Sequence, residues 1–249
     1  MKNVIFHFHI FKNAGTTIDS IFEFNFPNQI ISMEGKHPWS TLENNEVANL
    51  LEAKQNFQVI TSHQARFPLP NIKGINFFPI FMLRHPLDRI GSIFEYTKRL
   101  PSENLNYPNR LAQNKGIKPF VEWHLENRAV MKNFQTIYLA SREKDMRSAK
   151  ATEQDLQTAV SRLRNPQNSW GVVEYFDESM LELQAKLKNH FGPLELKIVP
   201  QNVSQNRDQN LNVRLDNLRN NLGSELWGRL ILENNFDLQL YNLAKEKFN

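Results

Sequence analysis

The sequence contains no cysteine, no linker rich in glycine and serine, and no apolar run long enough to span a bilayer. The missing cysteines exclude disulfide bonds and thiol catalysis. The first residues also lack the basic, then apolar, then small pattern of a signal peptide. We therefore expect a cytoplasmic protein without a membrane span.

Positive and negative charges are also nearly balanced, with 30 Lys and Arg residues against 26 Asp and Glu residues. The formal net charge is only +4, and no basic tract is present, so the composition does not favour nucleic acid as a partner. A mild positive excess does suit a small anionic ligand. With 249 residues, 40% of them hydrophobic, and no internal repeat, the chain is long enough for one sizeable core. We predict a single domain over residues 1–249.

Strand-like and helix-like segments alternate along the chain. Apolar runs predict strands over residues 4–8, 57–61, 77–83, 170–175 and 196–199. Start and stop signals predict a helix after the first strand and further helices over residues 40–55, 86–100, 119–130, 152–164 and 177–191. The C-terminal third is mostly helical. This order predicts an α/β fold with a parallel sheet flanked by helices on both faces and a helical C-terminal part.

The segment that follows the first strand predicts an anion-binding loop. Gly15 lets the backbone approach a ligand closely, and the N-terminus of the next helix directs N–H groups at an anion. Lys12 adds a mobile positive charge, and Thr16 and Thr17 offer hydroxyl groups. The predicted ligand-binding residues of this loop are Lys12, Asn13, Ala14, Gly15, Thr16 and Thr17.

The order of residues in this loop separates it from the common nucleotide P-loop. A P-loop needs its lysine after the second glycine, next to a magnesium-binding Ser or Thr, whereas Lys12 precedes the loop's only glycine. Lys-x-x-Gly-Thr-Thr instead resembles the 5′-phosphosulfate loop of sulfotransferases, Pro-Lys-x-x-Gly-Thr followed by Ser or Thr. The resemblance implies a P-loop-like fold that binds 3′-phosphoadenosine 5′-phosphosulfate (PAPS) as donor, without a metal. Phe11 stands where proline is usual, which affects loop rigidity more than chemistry.

A second element follows the strand at residues 77–83. Arg84-His85-Pro86-Leu87-Asp88-Arg89-Ile90-Gly91-Ser92 begins at the strand end and continues into a helix, with the proline suited to the first turn. It resembles the sulfotransferase 3′-phosphate element, Arg-x-Pro-x-x-Arg-x-x-Ser. The resemblance implies that Arg84 grips the 3′-phosphate in bidentate fashion and that Ser92 donates to the same group. A kinase is expected to have a magnesium-binding aspartate after such a strand.

A histidine at the end of another strand supplies a candidate base. His63 follows the run Val-Ile-Thr-Ser, on the same sheet edge as Lys12 and Arg84. It resembles the Gly-His element of the heparan 2-O-sulfotransferase-like group, whose histidine deprotonates the acceptor hydroxyl; Ser62 replaces the glycine. The alternative is that His63 only hydrogen-bonds a loop.

Three more segments match this group in order, and some of their residues have a plainer interpretation. The segments are residues 133–139, 171–176 and 235–241. Within or beside them, Trp170, Glu174 and Tyr241 fit packing and buried hydrogen bonds better than chemistry. The polar stretch at residues 201–207 is either a ligand-contacting loop or a plain connection.

Other polar residues are discounted. His7 and His9 share one face of the first strand, but no carboxylate or cysteine in the sequence pattern completes a metal site with them. Asp19 and Glu23, four apart on the first helix, are typical of a solvated face.

Three functions stay open at this point. The first is a sulfotransferase that moves a sulfuryl group from PAPS to a hydroxyl of a carbohydrate or glycoconjugate, with Lys12 and His63 as catalytic residues. The second is a P-loop-type kinase of small molecules, and the third is a nucleotide-binding protein of the same fold without turnover. The identity of the acceptor and the oligomeric state do not follow from the sequence.

Overall fold

The structure is a computed structural model that describes residues 1–54, 56–101, 106–140, 145–195 and 210–248. The predicted strand over residues 196–199 and the loop over residues 201–207 lie outside this range. Within the described residues, five strands form one sheet: β1 (Lys2–Phe8), β2 (Ile30–Ser32), β3 (Val59–Ser62), β4 (Ile75–Leu83) and β5 (Ser169–Val172). Their order is β2-β3-β1-β4-β5, and every pairing is parallel.

Helices connect the strands and complete the chain. They are α1 (Gly15–Asn25), α2 (Asn44–Ala53), α3 (Pro86–Lys98), α4 (Tyr107–Asn114), α5 (Ile117–Asn127), α6 (Phe134–Ala140), α7 (Glu153–Arg164), α8 (Phe176–Phe191), α9 (Leu211–Leu222), α10 (Ser224–Glu233) and α11 (Asn235–Lys245). The predicted α/β class and the helical C-terminal part are confirmed. None of the described helices is both long and apolar enough to cross a membrane.

Alternating side chains of β1 divide the core between two faces of the sheet. Val4, Phe6 and Phe8 pack on one face with α2, α6, α7 and α11. Ile5 points to the other face, where α1 and α8 cover it. A third cluster joins α3, α4, α5, α9 and α10 beside the sheet. Parallel strands covered on both faces need such near-continuous apolar runs, and helices on both faces confirm the expected layers.

Several element boundaries differ from those predicted. Helix α2 begins after Glu43, which forms a capping box with Glu46, rather than at Ser40. Ser40 instead makes an isolated bridge with Asp145, so pairing in the fold overrides the local capping signal. The predicted strand over residues 170–175 ends at Val172 and continues as a 3₁₀ turn. Strand β2 and helices α4 and α6 were not predicted, whereas the Thr152–Asp155 capping box of α7 is confirmed.

Gly171 is required where α8 packs on β5. A Cβ atom at this position would lie 2.5 Å from Ser179 Cβ and 2.9 Å from Met82 Sδ. The Ser179 hydroxyl also accepts a hydrogen bond from the Val172 amide at 2.9 Å. Ser179 cannot retreat without disturbing this hydrogen bond.

We expect Gly171→Ala to lower the free energy of unfolding by about 1–3 kcal/mol, because the added methyl overpacks the contact between α8 and β5. Urea unfolding of the wild-type and variant proteins measures this difference in the free energy of unfolding. Gly228→Ala is the matched control, since no atom lies within 4 Å of a Cβ added in α10; it should raise stability by about 0.5–1 kcal/mol. Equal stabilities of the two variants would contradict the packing argument.

Candidate functional site

The carboxyl ends of β1 and β4 lie side by side near the middle of the sheet. From β1 the chain moves to β2 on one side, and from β3 it crosses β1 to reach β4 on the other. Ligands of open parallel sheets bind where connections diverge in this way. A cleft of about 960 Å³ opens at this point, here called the β1–β4 cleft. Its lining includes every predicted site residue except Asn13: Lys12, Ala14, Gly15, Thr16, Thr17, His63, Arg84 and Ser92.

The loop between β1 and α1 has a strained backbone. Lys12 has φ 65° and Ala14 has φ 61°, both in the left-handed region that non-glycine residues rarely adopt. Strain of this kind concentrates at ligand-binding sites. Left-handed residues that alternate with right-handed ones turn successive N–H groups into a concave nest for an anion. The first turn of α1, which begins at Gly15, adds its own N–H groups.

The side chain of Asn13 does not face the cleft. It is 1% exposed, and its Nδ2 donates to Met82 O and to Gln135 Oε1, each at 2.7 Å. The prediction that the Asn13 side chain binds a ligand is therefore wrong. This side chain anchors the loop to the end of β4 instead. No sequence pattern pointed to this contact, because Gln135 lies far along the chain.

Phe11, which stands where the resembled motif has proline, stiffens the loop in another way. Its ring packs edge-on against Tyr96 with centroids 5.8 Å apart. The Lys12 Nζ lies 4.5 Å from the centre of the same Tyr96 ring. The loop is thus held by side-chain packing on α3 rather than by a fixed proline φ.

Arg84 lines the cleft and also holds the loop. Its Nη1 donates to Lys12 O at 2.9 Å, and its Nε donates to Asp88 at 2.8 Å. Asp88 also pairs with Arg214 of α9 at 2.7 Å, so one buried carboxylate sits between two guanidinium groups. The surplus positive charge of this trio faces the cleft, since both arginines line it.

Arg89 supports the loop from beneath. It is 1% exposed, and its Nη1 donates to Phe11 O at 3.3 Å while Nη2 donates to Val130 O. Burial lowers the pKa of Arg89 to about 10, so the guanidinium stays charged at neutral pH. Arg89 could have been found from the sequence, because it is the second arginine of the Arg-x-Pro-x-x-Arg-x-x-Ser element. No sequence pattern pointed to Arg214.

One hydrogen bond orients the His63 ring. Its Nδ1 lies 2.8 Å from His9 O, and because a carbonyl oxygen only accepts, Nδ1 carries the hydrogen. The Nε2 atom is then the one with a free lone pair. Burial and the neighbouring His9 hold the pKa of His63 below its ordinary value. The ring lines the β1–β4 cleft, at the end of β3 as predicted.

Asp19 was predicted on a solvated helix face, but its side chain packs against β1 instead. Its two carboxylate oxygens meet His7 Nδ1 at 2.7 Å and His9 Nδ1 at 2.8 Å. The expectation that no carboxylate joins these histidines is therefore wrong, because α1 turns Asp19 onto the face of β1. Although burial alone would raise the pKa of the Asp19 carboxyl, the two histidines hold that pKa well below its usual range.

Two residues expected to serve packing also line the cleft. They are Glu174 and Tyr241, and burial together with the nearby Glu174 carboxylate raises the pKa of the Tyr241 hydroxyl. Glu174 Oε1 also accepts from the His85 amide at 3.2 Å, and burial raises the pKa of this carboxyl. Trp170 fits its packing role, since its indole N–H donates to Leu163 O.

Comparison with known proteins adds one relative. No protein-family model matches the chain. The chain is 30% identical over 253 residues to an uncharacterized protein of Archaeoglobus fulgidus, and the match covers 98% of this chain and 97% of the archaeal protein. The chain therefore belongs to the same family as this uncharacterized archaeal protein.

Proposed function

We propose that the protein is a sulfotransferase that uses PAPS to sulfate a hydroxyl group of a carbohydrate or glycoconjugate. One observation carries the proposal: the strained loop after β1, the Arg84 guanidinium with the Ser92 hydroxyl, and the His63 ring all converge on one cleft. Lys12, Arg84 and His63 follow the ends of three strands, Ser92 lies in α3, and all four line the cleft. The cleft volume of about 960 Å³ is large enough for a nucleotide and part of an acceptor.

The donor set fits a ligand with two anionic ends. The loop offers the N–H groups of the nest and of the α1 N-terminus to a phosphosulfate. Arg84 and Ser92 lie on the β4–α3 side of the same cleft, where they would meet a 3′-phosphate. When bound, PAPS supplies a sulfuryl group that passes to the acceptor oxygen as its bond to the phosphate oxygen breaks.

Lys12 and His63 have separate tasks in this reaction. The Lys12 ammonium is placed to stabilise the negative charge that develops on the phosphate oxygen as it leaves. His63 Nε2 receives the proton of the acceptor hydroxyl. The hydrogen bond from Nδ1 to His9 O fixes the ring so that only Nε2 is available for this proton.

The kinase alternative is less consistent with these residues. Phosphoryl transfer from ATP relies on magnesium, held by a hydroxyl beside the P-loop lysine and by an acidic residue after a neighbouring strand. Here Lys12 comes before Gly15, and Arg84 follows β4. A positive guanidinium at that place favours an anionic group of the ligand over a metal ion.

Donor recognition is tested by nucleotide selectivity. Adenosine 3′,5′-bisphosphate should bind about tenfold or more tightly than AMP, because each charge-assisted contact to the 3′-phosphate contributes about 1.5–3 kcal/mol. Isothermal titration calorimetry measures both affinities. Ser92→Ala should weaken this preference and Arg84→Ala should abolish it.

Ser161→Ala is the control for this test, since Ser161 is exposed on α7, away from the cleft lining. It should keep the full preference. Equal affinities of the wild-type protein for the two nucleotides would exclude a 3′-phosphate site.

Replacing Lys12 should affect turnover more than binding. In Lys12→Ala we expect kcat to fall about a hundredfold or more, with a smaller change in nucleotide affinity, because the ammonium acts on charge that develops only in the transition state. Sulfated product measured by mass spectrometry gives the rate. Lys98→Ala, at an exposed position on α3, is the control. A Lys12 variant with normal turnover would exclude this role, and a chelator should leave the wild-type rate unchanged.

The base is tested by His63→Ala and by pH. The variant should bind nucleotide but lose about a hundred- to ten-thousandfold in turnover, whereas His190→Ala, exposed on α8, should keep its activity. Only neutral His63 accepts a proton, and burial lowers its pKa. With PAPS saturating, the wild-type kcat/KM for the acceptor should therefore rise with pH, and the midpoint of the rise should lie below the ordinary histidine pKa of about 6.5. Full activity of His63→Ala would place the base elsewhere.

A further inference from the structure

His9 occupies a position in the cleft that the reaction as described leaves unused. It is the first residue after β1, and its ring lines the β1–β4 cleft. A Cβ atom at Gly15 would lie 2.0 Å from His9 Cδ2 and 2.2 Å from His9 Nε2. The ring edge that carries Nε2 therefore lies against the first residue of α1. Gly15 is needed to make room for this imidazole as well as for a ligand.

The other ring nitrogen of His9 is fixed by Asp19. Its Nδ1 lies 2.8 Å from Asp19 Oδ2, and because Asp19 is ionised, Nδ1 carries a hydrogen. In neutral His9 the lone pair is on Nε2, beside the N-terminus of α1. That is the place where the loop gathers N–H groups for an anion.

An anion in the loop changes which form of His9 is stable. A lone pair on Nε2 repels a neighbouring anion, whereas a protonated Nε2 donates a charge-assisted hydrogen bond to it. Asp19 on the far side of the ring stabilises the resulting imidazolium. The anion and Asp19 would then enclose the charged ring from two sides.

The groups around His9 keep it neutral until the anion arrives. His7 on β1, Lys12 in the loop, Asp19 on α1 and His63 after β3 all face it. Burial lowers the pKa of His9, His7 and Lys12 lower it further, and the hydrogen bond to Asp19 opposes them only in part. The Glu34 carboxylate acts on His63 instead, where it favours the charged form of that ring and so raises its pKa.

We propose that His9 is a proton-linked anion-binding residue, whose Nε2 takes up one proton when a phosphosulfate occupies the loop and then donates a hydrogen bond to it. The inference rests on the proposed function, because it assumes that the loop binds the donor. The proton comes from solvent and is retained while the anion is bound. Protonated His9 also disfavours a charge on His63, whose ring centroid lies 3.9 Å away, so donor binding keeps the base neutral.

The test uses adenosine 5′-phosphosulfate, since neither of its anionic groups titrates near neutral pH. Titration calorimetry at about pH 7.5 in two buffers of different ionisation enthalpy gives the number of protons taken up. We expect close to one proton per ligand in the wild-type protein. Its affinity should fall by up to about tenfold for each pH unit above neutrality.

Variants identify the group that takes up the proton. Glutamine donates a hydrogen bond but does not titrate, so His9→Gln should bind the probe without proton uptake and with a flat pH dependence. Asp19→Asn should reduce the uptake. His63→Gln is the matched control and should keep it.

A measurement on the wild-type protein guards against a variant that fails to fold. Imidazole ¹⁵N spectra should show one ring that changes to the imidazolium pattern when the probe is added, and this ring should have cross-peaks to Gly15.

The possible failures are distinguishable. Probe binding without proton uptake, or uptake lost in His63→Gln rather than in His9→Gln, would overturn the role of His9 and leave the proposed function standing. A wild-type protein that binds adenosine 3′,5′-bisphosphate but not the probe would overturn the role of His9 alone, and one that binds neither at any pH would overturn both.

Discussion

The cleft depends on two buried guanidinium groups that hold the loop after β1. Arg84 and Arg89, five residues apart at the start of α3, donate to the carbonyl oxygens of Lys12 and Phe11. A buried charge without partners would be very costly, and these carbonyls together with Asp88 supply the partners. The two arginines thereby engage these carbonyl oxygens and hold the strained backbone of the loop in place beside the cleft.

The fold was largely predictable because its signals are local. Apolar runs that end in polar residues located β1, β3 and β4, and the Thr152–Asp155 capping box located the start of α7. Elements that depend on tertiary contacts were missed or misplaced. The edge strand β2 has only three residues, too few to show an alternating pattern. Ser40 pairs with Asp145 in the fold and therefore does not cap a helix, although its local sequence predicts a cap.

The candidate site was predicted in position more than in detail. Parallel strands bring their carboxyl ends to one edge, so Lys12, His63 and Arg84 could be placed together before any contact was known. The contacts themselves needed the fold. Asn13 turned inward because Gln135 offers it a buried partner, and Asp19 joined the site because α1 packs on β1. Sequence spacing carries no information on either pairing.

The pairing of β1 with β3 also explains why the cleft holds two histidines with different surroundings. Phe8 is in register with Ser62, so the next residue of each strand, His9 and His63, must lie side by side. Two imidazolium ions with ring centroids 3.9 Å apart would repel each other, so a charge on either ring disfavours a charge on the other. The hydrogen-bond partners of the two rings differ: His9 Nδ1 lies against the Asp19 carboxylate, whereas His63 Nδ1 donates to a carbonyl oxygen. A single register therefore gives two adjacent histidines different partners, and the carboxylate favours a positive charge on its ring more than the carbonyl oxygen does.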